Sequence, residues 1–288
     1  MSRLTLVVFI LLVVAGSAAQ AWDFDLGMLF NQWVFILGPA LWYLRRHRFG
    51  QRGLVRARIL QPRYIPPVLV LSVCTWLLNA FLAYVLMAQL MRLGFEPVEA
   101  IPPPVTFGDF ARYLLIIAVS AGVCEELLFR GAVMPAAESD GALPALMFSS
   151  LLFVLFHGSL TGFLNTAFAG LTMGVVVIKT GSILGGMLQH TVNNALAVSY
   201  LYALTRYEME AALPEVAAGV YVLVFLLACG GFIWALRGLN RLSPVGSLLQ
   251  NRERWLPAGW FNWATAVLLT ISAAIMAFEL LVGFAVLE

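Results

Sequence analysis

The sequence predicts an all-α integral membrane protein, a polytopic helical bundle of about 8–9 transmembrane helices. Three observations predict it. Hydrophobic residues fill 61% of the 288 positions and charged residues 11%, less than half the charged share of a soluble domain. The mean hydropathy is +0.90, and the apolar residues fall into separate runs, most of them near the roughly 20 residues that cross a bilayer. Basic residues gather in two of the loops between runs, as the positive-inside rule asks of a multi-pass chain.

In chain order the runs are 4–21, 27–44, 65–93, 110–134, 142–157, 161–178, 182–204, 215–236 and 260–287. The first has one basic residue, an apolar centre and the A-x-A pattern Ala19-Gln20-Ala21. It fits a cleavable secretory signal and equally a retained signal anchor. Runs 142–157 and 161–178 are short and predict either helices partly shielded by their neighbours or a helical pair that does not reach both faces. "EAIPPPV" at 99–105 predicts a stiff loop of polyproline character. The organisation expected is a signal or anchor at 1–21, N-terminal membrane helices at 22–109, a membrane core at 110–205 and C-terminal helices at 206–288.

Loop charge sets the orientation. Residues 45–64 hold Arg45, Arg46, Arg48, Arg52, Arg56, Arg58 and Arg63, and residues 237–259 add Arg237, Arg241, Arg252 and Arg254. The loops at 94–109 and 205–215 carry Glu96, Glu99, Asp109, Glu208, Glu210 and Glu215. Nine alternating helices put both arginine loops on the cytoplasmic side and both acidic loops outside. With no soluble domain beside them, the arginines read as topology signals, and a nucleic-acid partner is not expected. The three cysteines, Cys74, Cys124 and Cys229, sit in apolar runs without CxxC spacing, so neither a disulfide framework nor a thiolate metal site is expected.

The run at 110–134 ends in "CEELLFRG", Cys124 to Gly131. Glu125, Glu126 and Arg130 facing lipid together would cost roughly 8–10 kcal/mol, so they must face protein or water. Glu126 and Arg130 have the i,i+4 spacing of a pair on one helix face. Glu125 lies about 100° away around the helix, which leaves it to be satisfied from another helix. Of the three histidines, His47 lies in the arginine loop; His157 and His190 lie within membrane runs. Counting from turns near Asp140 and Gly181, Glu125 and His157 lie about 22–26 Å deep and His190 and Asn194 about 14–20 Å deep, so these groups can converge. Each has a plain structural reading as well: an ion pair, a histidine on a carbonyl, or asparagines such as Asn165, Asn193 and Asn194 as interhelical glue.

A carboxylate beside an imidazole in a wet cavity is a general-base pair, with Glu125 taking a proton from water and His157 orienting it. His190 and Asn194 can donate to the oxyanion of a tetrahedral intermediate. The chemistry implied is amide hydrolysis within the membrane. Glutamate with two histidines is also a zinc ligand set with water in the fourth place. There is no HExxH and no GxSxG, and the apolar neighbours of Cys124 disfavour the thiolate that a cysteine mechanism needs.

At these residues the chain resembles the CAAX protease and bacteriocin-processing (CPBP or Abi) family of intramembrane endopeptidases. The family motifs EExxxR, FxxxH and HxxxN read here "EELLFR" (Glu125 to Arg130), "FVLFH" (Phe153 to His157) and "HTVNN" (His190 to Asn194). The resemblance covers roughly residues 110–205. It implies Glu125 as base, His157 as its partner, and His190 with Asn194 as oxyanion support, with Glu126 and Arg130 structural. A route without cofactor is favoured over a zinc-dependent one. The substrate implied is a membrane-associated peptide or protein, met in the lipid bilayer. The signal-like N-terminus and arginine-biased loops suggest a bacterial inner-membrane member. The competing expectation is a non-enzymatic transporter or scaffold. A transporter would need access to both faces and helices interrupted by residues such as Gly170, Gly174, Gly185 and Gly186, which read equally well as small residues for close helix packing.

Overall fold

The computed structural model describes residues 1–48, 55–97, 101–207, 218–246 and 255–285. Arg52, Arg252, Arg254, Glu99, Glu208, Glu210 and Glu215 lie outside the described residues, as do residues 99 and 100 of the proline-rich loop.

Nine helices and no strand stand among the described residues: α1 (Ser2–Trp22), α2 (Phe24–Arg46), α3 (Pro62–Arg92), α4 (residues 107–137), α5 (Ala142–His157), α6 (Phe163–Thr180), α7 (Ile183–Arg206), α8 (Ala218–Leu242) and α9 (Trp263–Ala285). Each falls on an expected run. Six of them, α1, α2, α3, α6, α8 and α9, are long and apolar enough to cross a membrane. The other three are the helices that carry the motifs. α4 and α7 are diluted by polar side chains, and α5, at 16 residues, is shorter than a span.

Local signals explain the boundaries. Asp23 caps α2 by accepting from the Leu26 amide at 2.9 Å. Thr106 and Asp109 form a reciprocal capping box at the start of α4, which satisfies two amides that the first turn leaves open. α5 and α6 end at Gly158 (φ 57) and Gly181 (φ 65), in the left-handed region that a Cβ disfavours. The α4–α5 turn needs only Glu138–Asp140 and Gly141.

α4, α5, α6 and α7 pack on one another as the centre of the bundle. α1, α2 and α9 flank one side of it, and α3 and α8 flank the other. The central core is built from Cys124, Leu128, Phe129, Val133 and Met134 of α4 against Leu152 and Phe153 of α5 and Val177 of α6. The two ends of the bundle are distinct. At one end, Arg56 pairs with Glu138 at 2.7 Å, the Ser182 hydroxyl donates to the Arg58 carbonyl at 2.5 Å, and Lys179 donates to the carbonyls of Val245 and Gly246. The arginine-rich segments therefore share a face with the α4–α5 and α6–α7 turns, as the alternation of runs requires. At the other end, Arg112 pairs with Asp25 at 2.6 Å, and the Glu96 amide donates to the Gly283 carbonyl at 2.9 Å.

Candidate active site

α4 is not a uniform α-helix. It is α-helical at Ala121–Leu128 and π-helical at Leu114–Ser120 and Phe129–Val133. Single π-helical turns within α-helices recur at functional sites. Each change of winding moves the amide partner along by a residue and leaves carbonyls for donors from outside the helix. Two such donors are present. Asn194 Nδ2 on α7 donates to the Ile117 carbonyl at 3.0 Å, and Ser149 Oγ on α5 donates to the Phe129 carbonyl at 2.9 Å.

Within the α-helical stretch the two glutamates diverge as their spacing demands. Glu126 and Arg130 are both fully buried and pair at 2.7 Å. The second arm of the guanidinium, Arg130 Nη2, donates to the Gly170 carbonyl on α6 at 2.7 Å, and its charge lies 4.7 Å from the centre of the Phe153 ring. That contact adds cation–π attraction in a desolvated setting. Glu126 Oε1 also accepts from His190 Nδ1 on α7, at 3.1 Å. A carboxylate can only accept, so Nδ1 carries the proton and Nε2 is left to face the cavity.

Glu125 is also buried. Oε1 accepts from Gln32 Nε2 of α2 at 2.7 Å. Oε2 stands 3.9 Å from His190 Nε2, beyond hydrogen-bond length, and has no hydrogen-bond partner among the described residues. The partner from another helix that Glu125 requires is thus Gln32, not a histidine. The reason is local. His157 Nδ1 is bonded to the Phe153 carbonyl one turn back, at 2.8 Å, which fixes its proton on Nδ1 and leaves Nε2 as an acceptor. The same carbonyl bond was the plain structural reading of this histidine, and here it also orients the ring.

Glu125, His157, His190, Asn193, Asn194 and Asn165 all line one cavity of about 660 Å³. Its remaining wall is mostly apolar and aromatic, with Trp76 and Tyr84 of α3 and Tyr200 of α7. A second cavity of about 770 Å³, between α1, α2, α5 and α9, shares Glu125 and His157 and is lined by Asn31 and Gln32 as well. Glu126 and Arg130 line neither. Cys124 is a free thiol buried in the core.

Among the described residues no three His, Cys, Asp or Glu side chains are grouped to hold a metal ion. His190 Nδ1 is committed to Glu126 and His157 Nδ1 to a carbonyl, which leaves the Nε2 atom of each ring free, as in a histidine whose other nitrogen is held by a hydrogen bond.

Sequence reasoning missed Gln32. Its signal was the polar pair Asn31-Gln32 inside the apolar run "LFNQWVFIL", a neutral interruption that carries no motif.

No curated protein and no solved structure matches the chain. Residues 107–196 match the family described as Rce1-like, type II CAAX prenyl endopeptidase. That stretch contains α4, α5, α6 and the site-bearing part of α7, with all three motifs. On this match, the segment that holds the buried glutamates and both intramembrane histidines is similar to the CAAX protease (CPBP) family of membrane endopeptidases.

Proposed function

We propose that the protein is an intramembrane endopeptidase that uses a glutamate-activated water without a metal, and that its substrate is a membrane-associated peptide or protein of a bacterial inner membrane. The observation that carries this reading is the state of Glu125. One carboxylate oxygen is tied back by Gln32, and the other is unpartnered beside a cavity that also exposes His157 and His190.

In this mechanism Glu125 Oε2 takes a proton from water while His157 Nε2 accepts that water's second hydrogen bond. The hydroxide attacks the scissile carbonyl carbon. Asn194 has one N–H on the Ile117 carbonyl and a second to give to the oxyanion. His190, held at Nδ1 by Glu126, donates to the oxyanion from Nε2 when its ring carries both protons. The intermediate collapses, the C–N bond breaks, and the departing amine takes the proton from Glu125. Glu126 and Arg130 hold the helices and His190 in place and do not touch substrate.

The cavities favour this reading over a transporter. The residues of α3, α6 and α7 that line the site cavity lie from mid-helix towards the acidic-loop face: Trp76 to Met87, Asn165 to Met173, and His190 to Tyr200. The second cavity is likewise lined by Ser17, Gln20, Met28, Gly158 and Phe278, near the same face. Towards the arginine face, Leu128, Ala132, Val133 and Met134 of α4 are fully buried. A pathway needs access to both faces, whereas a protease needs one entrance wide enough for an extended peptide.

The test is cleavage by purified protein in liposomes. The probes are a farnesylated peptide ending in a CaaX sequence and single-pass peptides without a prenyl group. Glu125→Gln keeps the shape and the Gln32 contact, and should lower cleavage by about 10²–10⁴-fold with folding intact. Cys124→Ala should keep most activity, and chelators should have little effect. Full activity in Glu125→Gln removes this residue from the mechanism. Loss on chelation with recovery on zinc overturns the metal-free route.

A further inference from the structure

Gln32 lies outside the family-matched segment and 93 residues from Glu125 in sequence, yet it supplies the one side-chain hydrogen bond to that carboxylate among the described residues. We infer that Gln32 is a positioning residue for the base: its amide holds Oε1 and leaves Oε2, 3.9 Å from His190 Nε2, as the unpartnered oxygen that takes the proton. The inference rests on Glu125 being the base.

The geometry supports more than interhelical glue. Gln32 and Glu125 are both more than nine-tenths buried, so the N–H···O bond at 2.7 Å has little water to compete with it. A bond from a neutral donor to an ionised carboxylate is among the stronger kinds. It also selects between two equivalent oxygens. Without it, the carboxylate can turn about its terminal torsion, which is broad and soft, and either oxygen can face His190. Gln32 is held in turn. It lies in π-helical turns of α2 at Phe30–Leu37. The next residue, Trp33, donates from Nε1 to Ser120 Oγ of α4 at 3.0 Å, fixing α2 against the helix that bears the base. The preceding residue, Asn31, is seated against Gly16 of α1, where an added Cβ would lie 2.2 Å from Asn31 Oδ1. The N-terminal pair α1–α2 thereby becomes part of the catalytic unit.

Several ionisable groups surround this contact: His190 of α7 at 3.9 Å, His157 of α5 across the shared cavity, and Glu126 and Arg130 on α4 itself. The experiment must therefore separate the effect on Glu125 from theirs. The variants are Gln32→Met, which keeps size without the donor, and Gln32→Asn, which keeps the amide but withdraws it by one methylene. Two readouts are used on full-length protein in liposomes. One is the pH profile of kcat and KM on the best-cleaved of the peptides named above. The other is the infrared carboxyl band of Glu125, identified by its loss in Glu125→Gln and titrated without substrate.

The expected result for Gln32→Met is a fall in kcat of about ten-fold or more with KM little changed. The acid limb of the profile and the infrared midpoint should both move to higher pH by about one unit or more. Gln32→Asn should lie between Gln32→Met and the parent. If Gln32→Met does not fold, Gln32→Asn carries the same two readouts. A folded variant with unchanged midpoint and unchanged profile overturns the inference and leaves Gln32 as packing. A shifted midpoint with kcat unaltered also overturns it, because the contact then exists without catalytic consequence. Failure of the base reading is distinguishable, since there Glu125→Gln itself stays active.

Discussion

Glu126 Oε1 is shared by two buried donors, Arg130 Nη1 at 2.7 Å and His190 Nδ1 at 3.1 Å, so removing either leaves a charge under-satisfied. Taking one partner from a buried pair costs about 3–5 kcal/mol, because the other charge stays buried without compensation. Arg130→Ala should therefore lower the yield and thermal stability of folded protein. Arg130→Lys should recover little, since a single ammonium cannot span Glu126 and the Gly170 carbonyl as the fork does. Thermal unfolding and monodispersity in detergent measure this, and a normally stable Arg130→Ala that has lost only turnover would make the residue catalytic. Glu125, Glu126, Arg130, His157 and His190 could be read from the sequence because each is costly in lipid and must have a reason to be there. Gln32 could not. A neutral amide in an apolar run carries a smaller penalty and is commonly glue, and its partner lies 93 residues away.

The helices themselves were legible from apolar runs and loop charge, but their winding was not. The π-helical turns of α4 bracket the motif at Leu114–Ser120 and Phe129–Val133, within residues that read as one continuous apolar helix. Which carbonyls they release is set by the side chains that claim them, Asn194 and Ser149, and those come from other helices. The glycines were ambiguous in the sequence between hinges and close packing. In the fold they are points of close approach. A Cβ at Gly186 would lie 2.6 Å from Val177 Cγ2 and 2.7 Å from Glu126 Oε2, so α7 can approach α6 and the buried carboxylate only without a side chain there. Gly186→Ala should destabilise by about 1–3 kcal/mol through overpacking and push Glu126 off its alignment with Arg130 and His190. Unfolding measured beside Gly219→Ala, where a Cβ meets nothing within 4 Å, checks this, and equal stability of the two would remove the packing argument.

At the scale of the whole molecule, sidedness joins topology to substrate. The arginine-rich segments and the turns at residues 138–141 and 181–182 lie at one end of the bundle, while both cavities are lined from mid-helix towards the other end. The positive-inside rule gives the arginine end to the cytoplasm, so the site should be reached from the opposite side or laterally from the bilayer. Single cysteines at Ala83 and Ala197, both on the site cavity, in a background without Cys74, Cys124 and Cys229, should react with a membrane-impermeant maleimide added outside intact spheroplasts. A cysteine at Arg58, beside the α6–α7 turn, should react only in inverted vesicles. A cleavable peptide should then lower the labelling rate at Ala83 and Ala197 and leave Arg58 unaffected. Labelling of the cavity positions only from the arginine side would reverse the entrance, and the substrate would then have to be sought among cytoplasmic peptides.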